Sequence, residues 1–75
     1  MDNKEFGKRL LDIRTTLGLS QKEVEAKSGV SQGYISQLEQ GKFSPNITVV
    51  LRLAKALRVP VERLLQSENE SRRCS

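Results

Sequence analysis

Apolar residues recur at helical spacing from the start of the chain. Phe6, Leu10, Ile13 and Leu17 are separated by four, three and four positions, which places them on one face of a helix. Gly18 follows, and glycine ends helices because it adopts a positive φ without steric cost. Ser20-Gln21-Lys22-Glu23 has the form of a capping box, with the Ser20 hydroxyl accepting from the Glu23 amide and the Glu23 carboxylate reaching back. A second helix therefore starts at Gln21 and ends by Gly29. Ser31 caps a third helix over residues 32–40, with Tyr34, Ile35 and Leu38 as its larger apolar positions and Gly41 closing it. Phe43-Ser44-Pro45-Asn46 reads as a loop, and Asn46 is a good N-cap. Ile47, Val50, Leu51, Ala54 and Leu57 form a fourth helical face. Val59-Pro60 opens a short fifth helix through Val61, Leu64 and Leu65, with Pro60 in a tolerated first-turn position. No strand pattern, internal repeat or low-complexity segment interrupts this order. The expected fold is all-α, a compact bundle of five short helices over residues 1–66. Residues 67–75 are polar and charged and are expected to be a disordered tail.

Composition narrows the chemistry. The 75 residues suffice for one domain, and a domain this small buries a limited core. There is no histidine, and Cys74 is the only cysteine. An intrachain disulfide is excluded, and no metal site or cofactor is expected. With no histidine, no paired-carboxylate cleft and no glycine-rich phosphate loop, the chain does not read as an enzyme. No small-molecule ligand is evident either. No apolar run approaches the ~20 residues that span a bilayer, so no membrane partner is expected, and a lone thiol suits a reducing cytoplasm. Net charge is +4 with a pI near 9.6, which suits an anionic partner. Between Ser31 and Arg58 the cations Lys42, Arg52, Lys55 and Arg58 face one acid, Glu39.

The second and third helices, joined by Gly29-Val30-Ser31, have the spacing of a helix-turn-helix. Gly29 permits the tight turn, Val30 plugs the angle between the helices, and Ser31 caps the second of them. The outward positions of the third helix are Gln32, Gly33, Ser36, Gln37 and Gln40. These hydrogen-bonding, uncharged residues replace the Lys/Glu mixture of an ordinary solvated face. Glutamine can donate and accept in one plane, and so pair with the adenine edge in the major groove.

Residues 6–65 resemble the lambda-repressor-like (Cro/repressor, XRE) helix-turn-helix family. The resemblance is carried by Gly18-Leu19-Ser20-Gln21, Gly29-Val30-Ser31, Tyr34-Ile35-Ser36-Gln37-Leu38-Glu39-Gln40-Gly41-Lys42, Pro45 and Leu53-Ala54-Lys55-Ala56-Leu57. It implies a double-stranded DNA-binding regulator, a repressor or controller type, acting as a homodimer on a partly palindromic operator. It also implies a cytoplasmic, nucleoid-associated protein of bacterial or phage origin. Gln32, Gly33, Tyr34 and Gln37 would face the bases. Gln21, Ser31, Ser36, Lys42, Phe43, Ser44 and Asn46 would lie along phosphates. Arg14 and Glu39 fall where the family has an internal ion pair. Leu57, Arg58, Val59, Pro60, Val61, Leu64 and Leu65 would form the dimer interface.

Two positions depart from the family pattern. Glu25 stands where alanine is usual, so either the second helix is rotated or Glu25 sits at the interface edge. Gly33 stands where a longer reading side chain is common. The rival reading is a helix-turn-helix used as a protein-interaction module, antitoxin-like or a fragment of a larger regulator.

Overall fold

The computed structural model describes residues 3–65. The expected polar tail at 67–75, with Cys74, lies outside the described residues. Five helices follow one another: α1 (Asn3–Thr16), α2 (Gln21–Ser28), α3 (Gln32–Glu39), α4 (Ile47–Leu57) and α5 (Val61–Leu65). Helices of eight residues are too short to persist alone in water, where about 12–15 are needed. Their ends are therefore tied down locally and their apolar faces tied down by packing.

The capping box forms as the sequence indicates. The Glu23 amide donates to Ser20 Oγ at 3.0 Å and the Ser20 amide donates to Glu23 Oε1 at 2.8 Å. Ser31 Oγ accepts from the Tyr34 amide, and Asn46 Oδ1 accepts from the Val49 amide. At the other end of α3, Gly41 takes φ 74°. Its amide donates to the Leu38 carbonyl, and the Lys42 amide donates to that of Gln37. This pair of bonds satisfies carbonyls the helix leaves open.

The helices pack in a closed ring, α1 on α3, α3 on α2, α2 on α4, α4 on α5 and α5 on α1. The core inside contains Phe6, Leu10, Val24, Ile35, Leu38, Leu53, Leu57 and Leu64, all essentially inaccessible. Gly7 lets α1 lie directly on the α3 backbone. A Cβ there would strike the Leu38 carbonyl oxygen and stand 2.8 Å from that of Glu39.

Several sequence expectations shift. Because α1 ends at Thr16, Leu17 leaves the apolar face and is half exposed; Leu19, just before the α2 cap, packs on the core instead. On α4 the buried face is Val50, Leu53, Ala54 and Leu57, while Ile47 and Leu51 are 62 % and 53 % exposed. Glu25 is half-buried beside a fully buried Val24. Leu57 and Leu64 are closed inside the monomer core, which removes both from any intermolecular surface. Two helix faces, on α4 and α5, meet there, and neither leucine retains area to share.

Replacing Gly7 by alanine should lower stability by about 2–3 kcal/mol through overpacking against backbone that cannot move aside. A urea unfolding midpoint no lower than that of the parent chain would refute this.

Candidate nucleic-acid interface

The turn between α2 and α3 is built by Gly29, at φ 78°, whose amide donates to the Glu25 carbonyl. Val30 is buried beneath it. Ile35 and Leu38 anchor α3 to the core. That leaves Gly33, Gln37 and Gln40 exposed, with Gln32, Tyr34 and Ser36 half-buried. Gln40 Nε2 donates to Ser36 Oγ at 3.0 Å, so this part of the outer face is already ordered.

Behind α3 lies a connected polar network. Arg14 Nε and Nη2 donate to the two carboxylate oxygens of Glu39 at 2.6 and 3.0 Å. Arg14 Nη1 donates to the Leu19 carbonyl at 2.9 Å. Gln21 Nε2 donates to Glu39 Oε1 at 2.9 Å, and Gln32 Nε2 approaches Gln21 Oε1 at 3.4 Å. The Arg14 and Glu39 side chains retain 12 % and 6 % exposure. Hydrogen bonding to Glu39, with its charge adding to the effect, holds the Arg14 guanidinium above the ordinary arginine range despite desolvation. A raised arginine contributes stability at every pH below that range and loses it only as pH climbs beyond it. The contribution of the Arg14 guanidinium is therefore insensitive to pH near neutrality.

Sequence reasoning placed Arg14 opposite Glu39, and the structure joins them. It missed that Gln21 spends one amide hydrogen on Glu39. Gln21 stands at the start of α2. No local signal marks that bond, because its partners lie 18 positions apart.

The loop after α3 gathers other expected residues. Phe43 stacks on Tyr34, with ring centroids 4.8 Å apart. Ser44 Oγ donates to Asn3 Oδ1 at 2.7 Å. Asn46 commits its side-chain oxygen to the α4 cap and keeps its amide hydrogens. Lys42 is exposed beside these residues. The start of α1 also borders the loop, since a Cβ on Gly41 would stand 2.8 Å from Lys4; neither Asn3 nor Lys4 was foreseen there.

The other cations of the 31–58 segment lie elsewhere. Arg52, Lys55 and Arg58 join Lys27 around a shallow cleft whose lining includes no α3 residue. The C-terminal ends of α2 and α4 meet there, and cations offset the negative ends of helix dipoles. Much of the charge excess thus has an internal explanation.

A capped α2, a glycine turn and a capped α3 braced from behind define a helix-turn-helix DNA-binding domain. The chain belongs to the helix-turn-helix family of Cro/repressor (XRE) type, whose model, described as Helix-turn-helix, matches residues 10–64. It is 40 % identical over 68 residues to the uncharacterised HTH-type transcriptional regulator y4dJ of Sinorhizobium fredii, covering 91 % of this chain and 88 % of that protein. A propionyl-CoA carboxylase regulator of Cereibacter sphaeroides is 39 % identical over 85 % of this chain, which spans 14 % of that larger protein. Among solved structures, the restriction-modification controller protein C.AhdI of Aeromonas hydrophila superposes with a TM-score of 0.81 at 35 % identity, over 84 % of this chain and 96 % of its own. The protein is a transcriptional regulator with a helix-turn-helix DNA-binding domain. Among the described residues no helix is long and apolar enough to cross a membrane.

Glu39→Ala should cost about 3 kcal/mol, since it strands a largely buried guanidinium. Arg14→Met combined with Glu39→Leu should return to within about 1 kcal/mol of the parent, because an apolar pair of similar volume needs no partner. Chemical denaturation of both variants decides this, and a double variant as weak as the single one would contradict it.

Proposed function

We propose that the protein recognises a specific, partly palindromic double-stranded DNA operator as a homodimer, with α3 in the major groove. One observation carries this reading. The outer face of α3 presents Gln32, Gly33, Gln37 and Gln40, uncharged groups on a helix braced from behind and capped at both ends. Gln32 and Gln37 read base edges, with Gly33 and Tyr34 beside them. Gln21, Ser31, Ser36, Lys42, Ser44 and Asn46 hold the flanking phosphates by hydrogen bonds and charge. Phe43 has no polar side-chain atom, so it positions Tyr34 and offers only its backbone. We place it in the bacterial cytoplasm as a repressor or controller, and the likeness to C.AhdI, a restriction-modification controller protein, supports the controller role.

Selection of bound sequences from a random duplex pool identifies the operator. Gln37→Ala should then cost about 1–3 kcal/mol at that site with little loss on random DNA. Lys42→Ala should weaken binding to both alike and reduce the salt slope by roughly one unit. Equal losses on both DNAs for Gln37→Ala would defeat base reading. Binding of a protein but no duplex would favour the interaction-module reading.

The dimer is placed on α4, α5 and the turn between them. With Leu57 and Leu64 withdrawn into the core, the remaining surface is Arg58, Val59, Pro60, Val61 and Leu65. Ile47 and Leu51 extend it, one turn apart on α4, and Ile47 borders the same groove as Leu65. A two-fold axis there would set two α3 helices ~34 Å apart, one turn of DNA. Leu51→Asp, at an exposed position, should leave the fold intact and weaken self-association by at least about ten-fold, the scale of burying an unpaired charge. Sedimentation at tens of micromolar reads this; a parent chain that stays monomeric there and binds a single half-site at full affinity would refute the dimer.

A further inference from the structure

We infer that the cationic cleft at the C-terminal ends of α2 and α4 docks a partner protein, through an acidic segment with an apolar side chain, while α3 is on DNA. For its orientation this rests on the DNA-binding reading above. Lys27, Arg52, Lys55 and Arg58 line the cleft with Ser28 and Ala56, and no acid lines it. All four cations are exposed, and none pairs through its side chain with another described residue. Arg52 reaches across from the middle of α4 to the end of α2, where a Cβ on Gly29 would stand 3.4 Å from its Nη1. The negative ends of α2 and α4 draw cations to this place, but each end carries only about half a charge. The cleft stays positive, and the donors that line it stay open.

The adjoining surface narrows the kind of anion that fits. Lys27 and Arg58 also border a second groove, walled by Leu17, Leu19, Ala56, Leu57 and Val59. Leu17 is 50 % exposed there, an apolar side chain left outside the core. The first cleft encloses about 610 Å³, far more than one small ion fills. A phosphate strand would use the cations and gain nothing from the leucines. A peptide with carboxylates and one apolar side chain uses both.

The operator is held elsewhere. Its proposed phosphate contacts fall at the N-terminal ends of the same two helices, Gln21 on α2 and Asn46 before α4. Lys27 lies six residues beyond the first and Lys55 nine beyond the second, about 9 and 14 Å along the helix axes. No α3 residue enters the cleft. It therefore stays open on the bound protein. Arg58 also borders the dimer surface proposed above, so the variants below leave it in place.

The probe is a labelled eight-residue peptide, four acids and three serines around one leucine. It is titrated with the full chain at ~0.15 M salt, both free and bound to a duplex selected from a random pool. Binding should saturate and be equal with and without the duplex. It should fall at least about three-fold when glutamines replace the acids or serine replaces the leucine. Lys27→Glu with Lys55→Glu should weaken it about ten-fold, and Leu17→Ser about three-fold. The same charge change at Lys8 and Lys22, outside the cleft, should leave it within about two-fold, since exposed charges beyond ~8 Å are screened. No saturable binding, a peptide indifferent to its leucine, displacement by the duplex, or equal losses from the two charge changes would each overturn the inference. So would a salt slope of duplex binding that falls by roughly two units in the Lys27 and Lys55 variant, because phosphates would then fill the cleft. A parent chain that enriches no duplex overturns the DNA reading itself, while titration of the free chain still decides the cleft.

Discussion

One carboxylate sets the geometry of α3. Glu39 closes α3, receives two hydrogen bonds from Arg14 on α1, and receives a third from Gln21 at the start of α2. Three helices are thereby fixed at one point. Apolar packing holds α3 down but is indifferent to small rotations, because burial scales with area and not direction. Charge-assisted hydrogen bonds have direction. Desolvation offsets much of what such a pair contributes to stability, so apolar replacements of similar volume are often as stable. The role that remains for it is orientation. The network continues from Gln21 to Gln32, so the first residue of α3 inherits that orientation.

Both ends of α3 are held independently of this pair, by Ser31 at the start and by Gly41 and Lys42 amides at the finish. An eight-residue helix with capped ends, two buried anchors and a bidentate brace has little freedom left. That rigidity matters for hydrogen-bonding side chains, because a glutamine on a loose helix forfeits in ordering cost what its contacts return.

The sequence made legible what is encoded locally. The capping box at Ser20, the glycine turn and the Asn46 cap each involve residues three or four apart, and each forms where expected. Helix faces were less legible where apolar residues exceed one face. On α4, Ile47, Val49, Val50, Leu51, Leu53 and Leu57 leave several rotations open, and packing against α2 and α5 chose the one with Leu53 inward. The same choice buried Leu57 and Leu64, which the sequence had offered to a partner. The Gln21–Glu39 bond and the fit of Gly7 against α3 arise only on tertiary contact. Arg58 carried no turn signal, yet it adopts φ 59° at the end of α4, a conformation that costs a non-glycine residue roughly 1 kcal/mol.

The placement of charge bears on how specificity would arise. Sequence counting assigned four cations to the segment around α3, but three of them gather with Lys27 at the ends of α2 and α4. Lys42 is left beside the outer face of α3, with Lys4 bordering the same loop, which otherwise offers hydroxyl, amide and backbone groups. Each phosphate neutralised by a cation adds affinity that is blind to sequence and falls with salt. A face with few cations gains little of that, so a larger share of its binding free energy must come from base edges. A single short helix reaches only a few base pairs. Under the proposed function, discrimination on the scale of a genome would call for a second copy reading the other half of the site. The monomer leaves exposed apolar area on α4, on the flank where α5 packs, and a two-fold pairing through that flank would serve both needs at once.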